Sequence, residues 1–87
     1  MPHGPVQTLV TAQQLSELLR TTRQRLKLNQ QDVGDKLNLS QNRVSHLERH
    51  PEELSFKQLL AWCAVLGLEL QLGVRGAAAA PAQPTEW

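Results

Sequence analysis

The residues best equipped for chemistry in this 87-residue chain are amides and hydroxyls: Gln30 and Gln31, then Gln41, Asn42 and Ser45. Glutamine and asparagine can bond bidentately to the major-groove edge of adenine, and serine pairs with several base edges. Gln41, Asn42 and Ser45 are therefore expected to read bases. Gln30 and Gln31 open a helix, where amides and free backbone N–H groups can hold a phosphate, and Arg43 leans to the flank where a phosphate is its natural partner. Covalent catalysis finds less material. Ser45 and His46 are adjacent, but neighbours along a helix do not face each other. Cys63 stands alone, and neither a third orienting group nor a pocket-forming loop is evident. Three scattered histidines and one cysteine show no zinc-ligand spacing. The chain is expected to be no enzyme and to carry no metal and no cofactor. The bland alternative for the amides is a polar, solvated helix face.

Four helices must position these side chains, and each is announced by one device. An apolar residue, a capping residue, three further positions and another apolar residue occur as Val10-Thr11…Leu15, Leu28-Asn29…Val33, Leu39-Ser40…Val44 and Leu54-Ser55…Leu59. The capping oxygen accepts from free first-turn N–H groups, and the apolar pair fixes the entry angle. Gln14 and Gln58 add the reciprocal half of a capping box, and Asp32 places a carboxylate at a positive helix end. These starts predict helices over about 12–26, 30–37, 41–49 and 56–66. Leu15, Leu18, Leu19, Thr22 and Leu26 line one face of the first; Phe56, Leu59, Leu60, Cys63 and Leu66 line one face of the fourth, with Gly67 as its stop. Trp62 and Val65 lie off that stripe and are free to cover a second interface. Only Asn38, Leu39 and Ser40 separate the second and third helices, which is helix-turn-helix spacing. Gly34 suits a close crossing and Asn38 a left-handed turn. Val44 and Leu47 then face the core, leaving Gln41, Asn42 and Ser45 outward.

After Gly67 the apolar period becomes two: Leu68, Leu70, Leu72 and Val74 alternate with polar or small residues, a strand signature. An unpaired apolar strand is an aggregation template. Either it pairs with its copy in a homodimer, or it packs as an extended segment on its own monomer; the first is the economical reading. The chain thus divides into an arm (1–9), a helical domain (10–67), a dimerisation segment (68–75) and a tail (76–87) expected to be disordered. Formal charge is +1, distributed as +3 over residues 1–50 and −2 over 51–87. A positive half suits a polyanion, but on charge alone ordinary solvated helix faces are the better reading. No apolar run approaches the roughly 20 residues of a membrane span, and the N-terminus lacks a signal peptide's apolar stretch. A cytoplasmic protein with no membrane partner is expected.

Residues 20–48, above all Asn29-Gln30-Gln31-Asp32-Val33-Gly34-Asp35-Lys36-Leu37, resemble the phage-repressor-type (XRE/Cro-like) domain. The resemblance implies an all-α fold: a four- to five-helix phage-repressor-like helix-turn-helix domain, with a short C-terminal strand pairing across a homodimer. It implies an ion pair between Arg23 and Glu48, to which a scaffold role is assigned. The loop that is often basic in that family reads His50-Pro51-Glu52-Glu53 here. A narrower resemblance to HipB-type antitoxins covers nearly the whole chain. It implies an operator-binding autorepressor that neutralises a HipA-type serine/threonine kinase toxin, with Ser40 near the DNA backbone, Leu68, Leu70 and Leu72 in the dimerising strand, and Glu86 and Trp87 docking on the toxin. A tail tryptophan with no core to enter is also the commonest kind of hot-spot residue. The alternative is a stand-alone repressor or controller protein without a toxin partner.

Overall fold

A computed structural model describes residues 6–75. Its elements, in order, are α1 (Ala12–Arg25), α2 (Gln30–Leu37), α3 (Gln41–Arg49), a 3-10 turn (Pro51–Glu53) and α4 (Phe56–Leu66). Each α-helix starts where its cap stands. Thr11, Asn29 and Ser55 accept from the backbone N–H three residues on, at 3.2, 2.7 and 3.0 Å. Gln14, Asp32 and Gln58 reach back to the cap N–H at 3.0, 2.9 and 2.9 Å, so three reciprocal boxes form. Ser40 makes the one-way version, accepting from the Arg43 N–H at 3.1 Å.

Three of the four helix ends share a second device. Lys27, Asn38 and Gly67 adopt left-handed backbone (φ 61°, 62° and 72°) and turn the chain back on itself. In each case the N–H of the next residue, always a leucine, bonds a carbonyl five positions earlier: Leu28 to Arg23 (3.0 Å), Leu39 to Gly34 (2.8 Å) and Leu68 to Cys63 (2.8 Å). This closure satisfies carbonyls that the helix leaves free. All three leucines pack against the core. Leu28 and Leu39 thus end one helix and staple the start of the next, which keeps both connections short.

The core consists of Leu19, Val33, Val44, Leu47, Trp62 and Leu66, with at least one residue from every α-helix. Two expectations about faces are corrected here. Trp62 is fully enclosed, and Phe56 is 65% exposed. The inward stripe of α4 is Leu59, Trp62, Cys63 and Leu66, rotated so that its largest apolar side chain is the one buried. Phe56, at the first helical position, projects past the core's edge, and Leu60 lies on the flank. Val65 packs partly against the core rather than standing clear of it. The buried indole Nε1 has no hydrogen-bond partner among the described residues. That costs about 1–3 kcal/mol, less than the ~4–6 kcal/mol from burying the ring's apolar surface. Leu26 is also exposed, because α1 ends at Arg25 and the turn at Lys27 sends Leu28 inward instead.

Residues 68–75 carry no regular structure, and no strand is present among the described residues. A strand is completed by its neighbour's hydrogen bonds, and the described residues of one copy offer none. Leu68 and Leu70 are partly buried, whereas Leu72 is 96% exposed. Residues 76–87, including Glu86 and Trp87, lie outside the described residues, as do residues 1–5. No helix among the described residues is long and apolar enough to cross a membrane.

Candidate nucleic-acid interface

The approach of α2 to α3 sets the geometry of the polar face. Gly34 is buried at the crossing, where a Cβ would run into the Leu39 carbonyl oxygen and meet Val44 Cγ2 at 3.3 Å. Only a residue without a side chain lets the two short helices sit this close. Asn38 supplies the left-handed turn between them. Val44, Leu47 and Glu48 face inward from α3, while Gln41, Asn42, Arg43 and Arg49 are exposed and Ser45 and His46 are half-buried. The helix therefore presents Asn42, Ser45 and Arg49 along one stripe, with Gln41 and Arg43 at its N-terminal end.

Behind that stripe lies a chain of hydrogen bonds across three helices. Arg23 on α1 donates to both carboxylate oxygens of Glu48 on α3, through Nε to Oε2 at 2.7 Å and Nη2 to Oε1 at 3.1 Å. A third guanidinium N–H reaches the Leu28 carbonyl at 3.0 Å. Ser16 Oγ donates to the Glu48 backbone carbonyl at 2.6 Å. Gln30 on α2 then donates through Nε2 to Glu48 Oε1 (3.2 Å), and its Oε1 accepts from Gln41 Nε2 (2.8 Å). The direction follows from chemistry. An ionised carboxylate can only accept, so Gln30 must turn its NH2 group toward Glu48 and its carbonyl toward Gln41. Gln41 in turn must offer an N–H inward. Its carbonyl oxygen and second N–H remain available to a ligand.

Arg23 and Glu48 are nearly enclosed, with side chains 11% and 4% exposed. Each buried charge has an opposite partner and further hydrogen bonds, which is the condition under which such a pair is tolerated. Arg23, Asn29, Gln30, Gln31 and Gln41 line a shallow open cleft beside the start of α2. The first turn of α2 directs backbone N–H groups toward this region, although Asn29 and Asp32 already engage two of the donors near that end. Gln31 and Ser40 are exposed, the latter with its hydroxyl committed to the cap. In the sequence Gln30, Gln41 and the Arg23–Glu48 pair stand as separate features; the structure brings all four into one network. Their separations of 11, 18 and 25 residues leave no local pattern to read.

A second group gathers at the other end of α3. His46 Nε2 lies 2.9 Å from Glu53 Oε1, and His50 Nδ1 lies 3.4 Å from Glu52 Oε2. The two imidazole rings are 4.8 Å apart between centroids. The hydrogen bond from His46 lowers the Glu53 pKa from the usual carboxylate range, and the positive potential of His46, His50 and Arg43 adds to this. The histidines are therefore not all scattered, which corrects the expectation. The i, i+4 spacing of His46 and His50 was the available signal, and the 3-10 turn started by Pro51 is what brings the glutamates to them. Cys63, by contrast, is buried in the core, and desolvation raises its thiol pKa. His46 points its Nε2 at Glu53, on a different bearing from a Ser–His couple.

No curated protein and no solved structure matches the chain. A helix-turn-helix family model matches residues 19–72, well over half of the 87 residues and all of the geometry described above from Leu19 to Leu72. The chain belongs to the XRE/Cro-like helix-turn-helix family of DNA-binding transcription regulators.

Proposed function

We propose that the protein is a repressor that reads operator DNA through Gln41, Asn42 and Ser45, with Gln30, Gln31, Ser40 and Arg43 holding the phosphate backbone. The observation carrying this reading is the relay from Arg23 through Glu48 and Gln30 to Gln41. A free glutamine side chain samples many rotamers and both amide orientations. The relay leaves Gln41 with one N–H and its carbonyl pointing outward, the donor–acceptor pair that matches adenine N7 and N6 in the major groove. Orientation before binding lowers the ordering cost of the contact. Gln30 then has two duties, orienting Gln41 and meeting the backbone.

The operator is obtained by selection from a random duplex library, and affinity is read by fluorescence anisotropy. Gln41→Ala should weaken specific binding by about 10-fold or more and relax the preference at one base pair, as expected for loss of one bidentate contact. Gln30→Ala should relax the same position. Retention of full specific affinity by Gln41→Ala with Asn42→Ala, in a folded protein, would falsify the assignment of α3 as the reading helix.

Two reading heads on one operator need a dimer, and Leu68, Leu70 and Leu72 are proposed to pair with the same segment of a second copy. The reading rests on the alternation of these leucines and on the 96% exposure of Leu72, together with the exposed Phe56 and Leu60 on α4. Heads about 34 Å apart would then meet successive turns of DNA. Sedimentation of Leu70→Lys/Leu72→Lys should give a monomer if this holds.

The finer proposal is an antitoxin that also restrains a HipA-type serine/threonine kinase. It draws on the overall resemblance to HipB-type antitoxins and on the terminal Glu86-Trp87. Deleting those two residues should abolish kinase binding on co-expression and leave operator affinity unchanged. If the deletion alters neither, the stand-alone repressor is the better description.

A further inference from the structure

We propose that His46, His50, Glu52 and Glu53 form a binding site for a divalent first-row transition metal of the zinc type, joining the last turn of α3 to the 3-10 turn that follows. Two imidazoles and carboxylate oxygens are the donor set that such ions take in proteins. Three of the four donors are already gathered, and the fourth touches one of them. The ligand atoms of His50, Glu52 and Glu53 all lie within 4.8 Å of one another, and His46 Nε2 lies 2.9 Å from Glu53. Around a tetrahedral ion with bonds of about 2.0–2.2 Å, neighbouring ligand atoms stand about 3.3 Å apart. Two of the observed spacings, His46–Glu53 at 2.9 Å and His50–Glu52 at 3.4 Å, already lie near that value, and side-chain rotation is left to bring the others to it.

Two features make the arrangement more than a surface salt link. His46 and His50 are held one helical turn apart, with the His50 N–H bonded to the His46 carbonyl at 2.9 Å, so both rings leave the same face. The turn Pro51–Glu53 is tied back by its own bonds, Glu53 N–H to the His50 carbonyl and Leu54 N–H to the Pro51 carbonyl, both 3.0 Å. This backbone delivers the two glutamates to the histidine face. The four side chains are 40–55% exposed, so an ion reaches them from solvent and displaces the His46–Glu53 hydrogen bond as it binds.

The test titrates the full-length protein with cobalt(II) and reads visible absorption. The expected result is saturable 1:1 absorption that zinc(II) displaces and that weakens by at least about 10-fold in His50→Gln and in Glu53→Gln. At a hundredfold excess of zinc over half-saturation the melting temperature should rise by about 10–20 °C, because the ion binds only the folded arrangement. His3→Gln, which changes the remaining histidine of the sequence, should titrate like the parent. Melting curves without metal check that the half-exposed substitutions leave the fold intact. Absence of saturable absorption, its survival in the His46→Gln/His50→Gln double variant, or its loss in His3→Gln would each overturn the site.

Discussion

Replacing Gly34 by alanine sets two effects of opposite sign against each other. Alanine is the better helix former by about 1 kcal/mol, and at an ordinary helical position the substitution stabilises. At Gly34 the new Cβ falls on the Leu39 carbonyl oxygen and within 3.3 Å of Val44 Cγ2. Val44 is fully buried on α3, so its methyl has little room to retreat. The Leu39 carbonyl is backbone of the α2–α3 turn, itself anchored by the Leu39 N–H bond to Gly34 at 2.8 Å. Relief therefore requires α3 to move relative to α2. Overpacking of this kind costs about 1–3 kcal/mol, more where backbone must shift, and the propensity gain offsets only part of it. A net loss of about 1–2 kcal/mol is expected, which for a domain of this size lowers the melting temperature by roughly 5–15 °C. Circular-dichroism melts and urea titrations measure the stability, and operator anisotropy measures the second consequence, a fall in specific affinity at temperatures where the variant is still folded. An unchanged or raised melting temperature would show that no clash forms at this crossing, since helix propensity alone predicts that sign.

Glu48→Gln should destabilise by about 3 kcal/mol, because Arg23 keeps its charge in a nearly closed site and loses its counter-ion; denaturant unfolding measures this. Arg23→Met with Glu48→Leu should recover most of that stability while specific DNA affinity stays low, since Gln30 no longer has an acceptor to orient it. Lys27→Gly should raise stability by about 0.5–1 kcal/mol in the same assay, as the left-handed φ of 61° strains a Cβ that glycine lacks. Carbon-detected NMR should place the Glu53 titration below the ordinary carboxylate range, and His46→Ala should return it upward. The direction of that shift means the His46–Glu53 link is complete above the range in which an unfolded glutamate titrates. It is lost as pH falls through the lowered value.

How much of this protein could be read along the chain depended on distance in sequence. Helix starts were legible because a cap is a local transaction: Thr11, Asn29, Ser40 and Ser55 each accept from a backbone N–H three residues on, and the residue types needed are few. The helix-turn-helix followed for the same reason, with Gly34 and Asn38 marking a close crossing and a left-handed turn within five residues. The inward face of α4 was harder. Its amphipathic signal is blunted because Phe56, Leu59, Leu60, Trp62, Cys63, Val65 and Leu66 are all apolar, so only the position of the other helices decides that Trp62 goes in and Phe56 stays out.

By itself the chain determined where helices begin, where the helix-turn-helix lies, and that a leucine alternation follows Gly67, since each depends on hydrogen bonding or periodicity within a few residues. Tertiary structure decided which polar side chains act together. Arg23, Glu48, Gln30 and Gln41 come from three helices, and a hydrogen bond between them exists only once those helices are packed to within a few tenths of an ångström. The same holds for His46 and Glu53, whose meeting depends on a proline-started turn folding back on the end of α3. Residue types are written in the sequence, but the direction in which an amide points is set by the nearest charge, and here that charge is Glu48, 18 residues from Gln30.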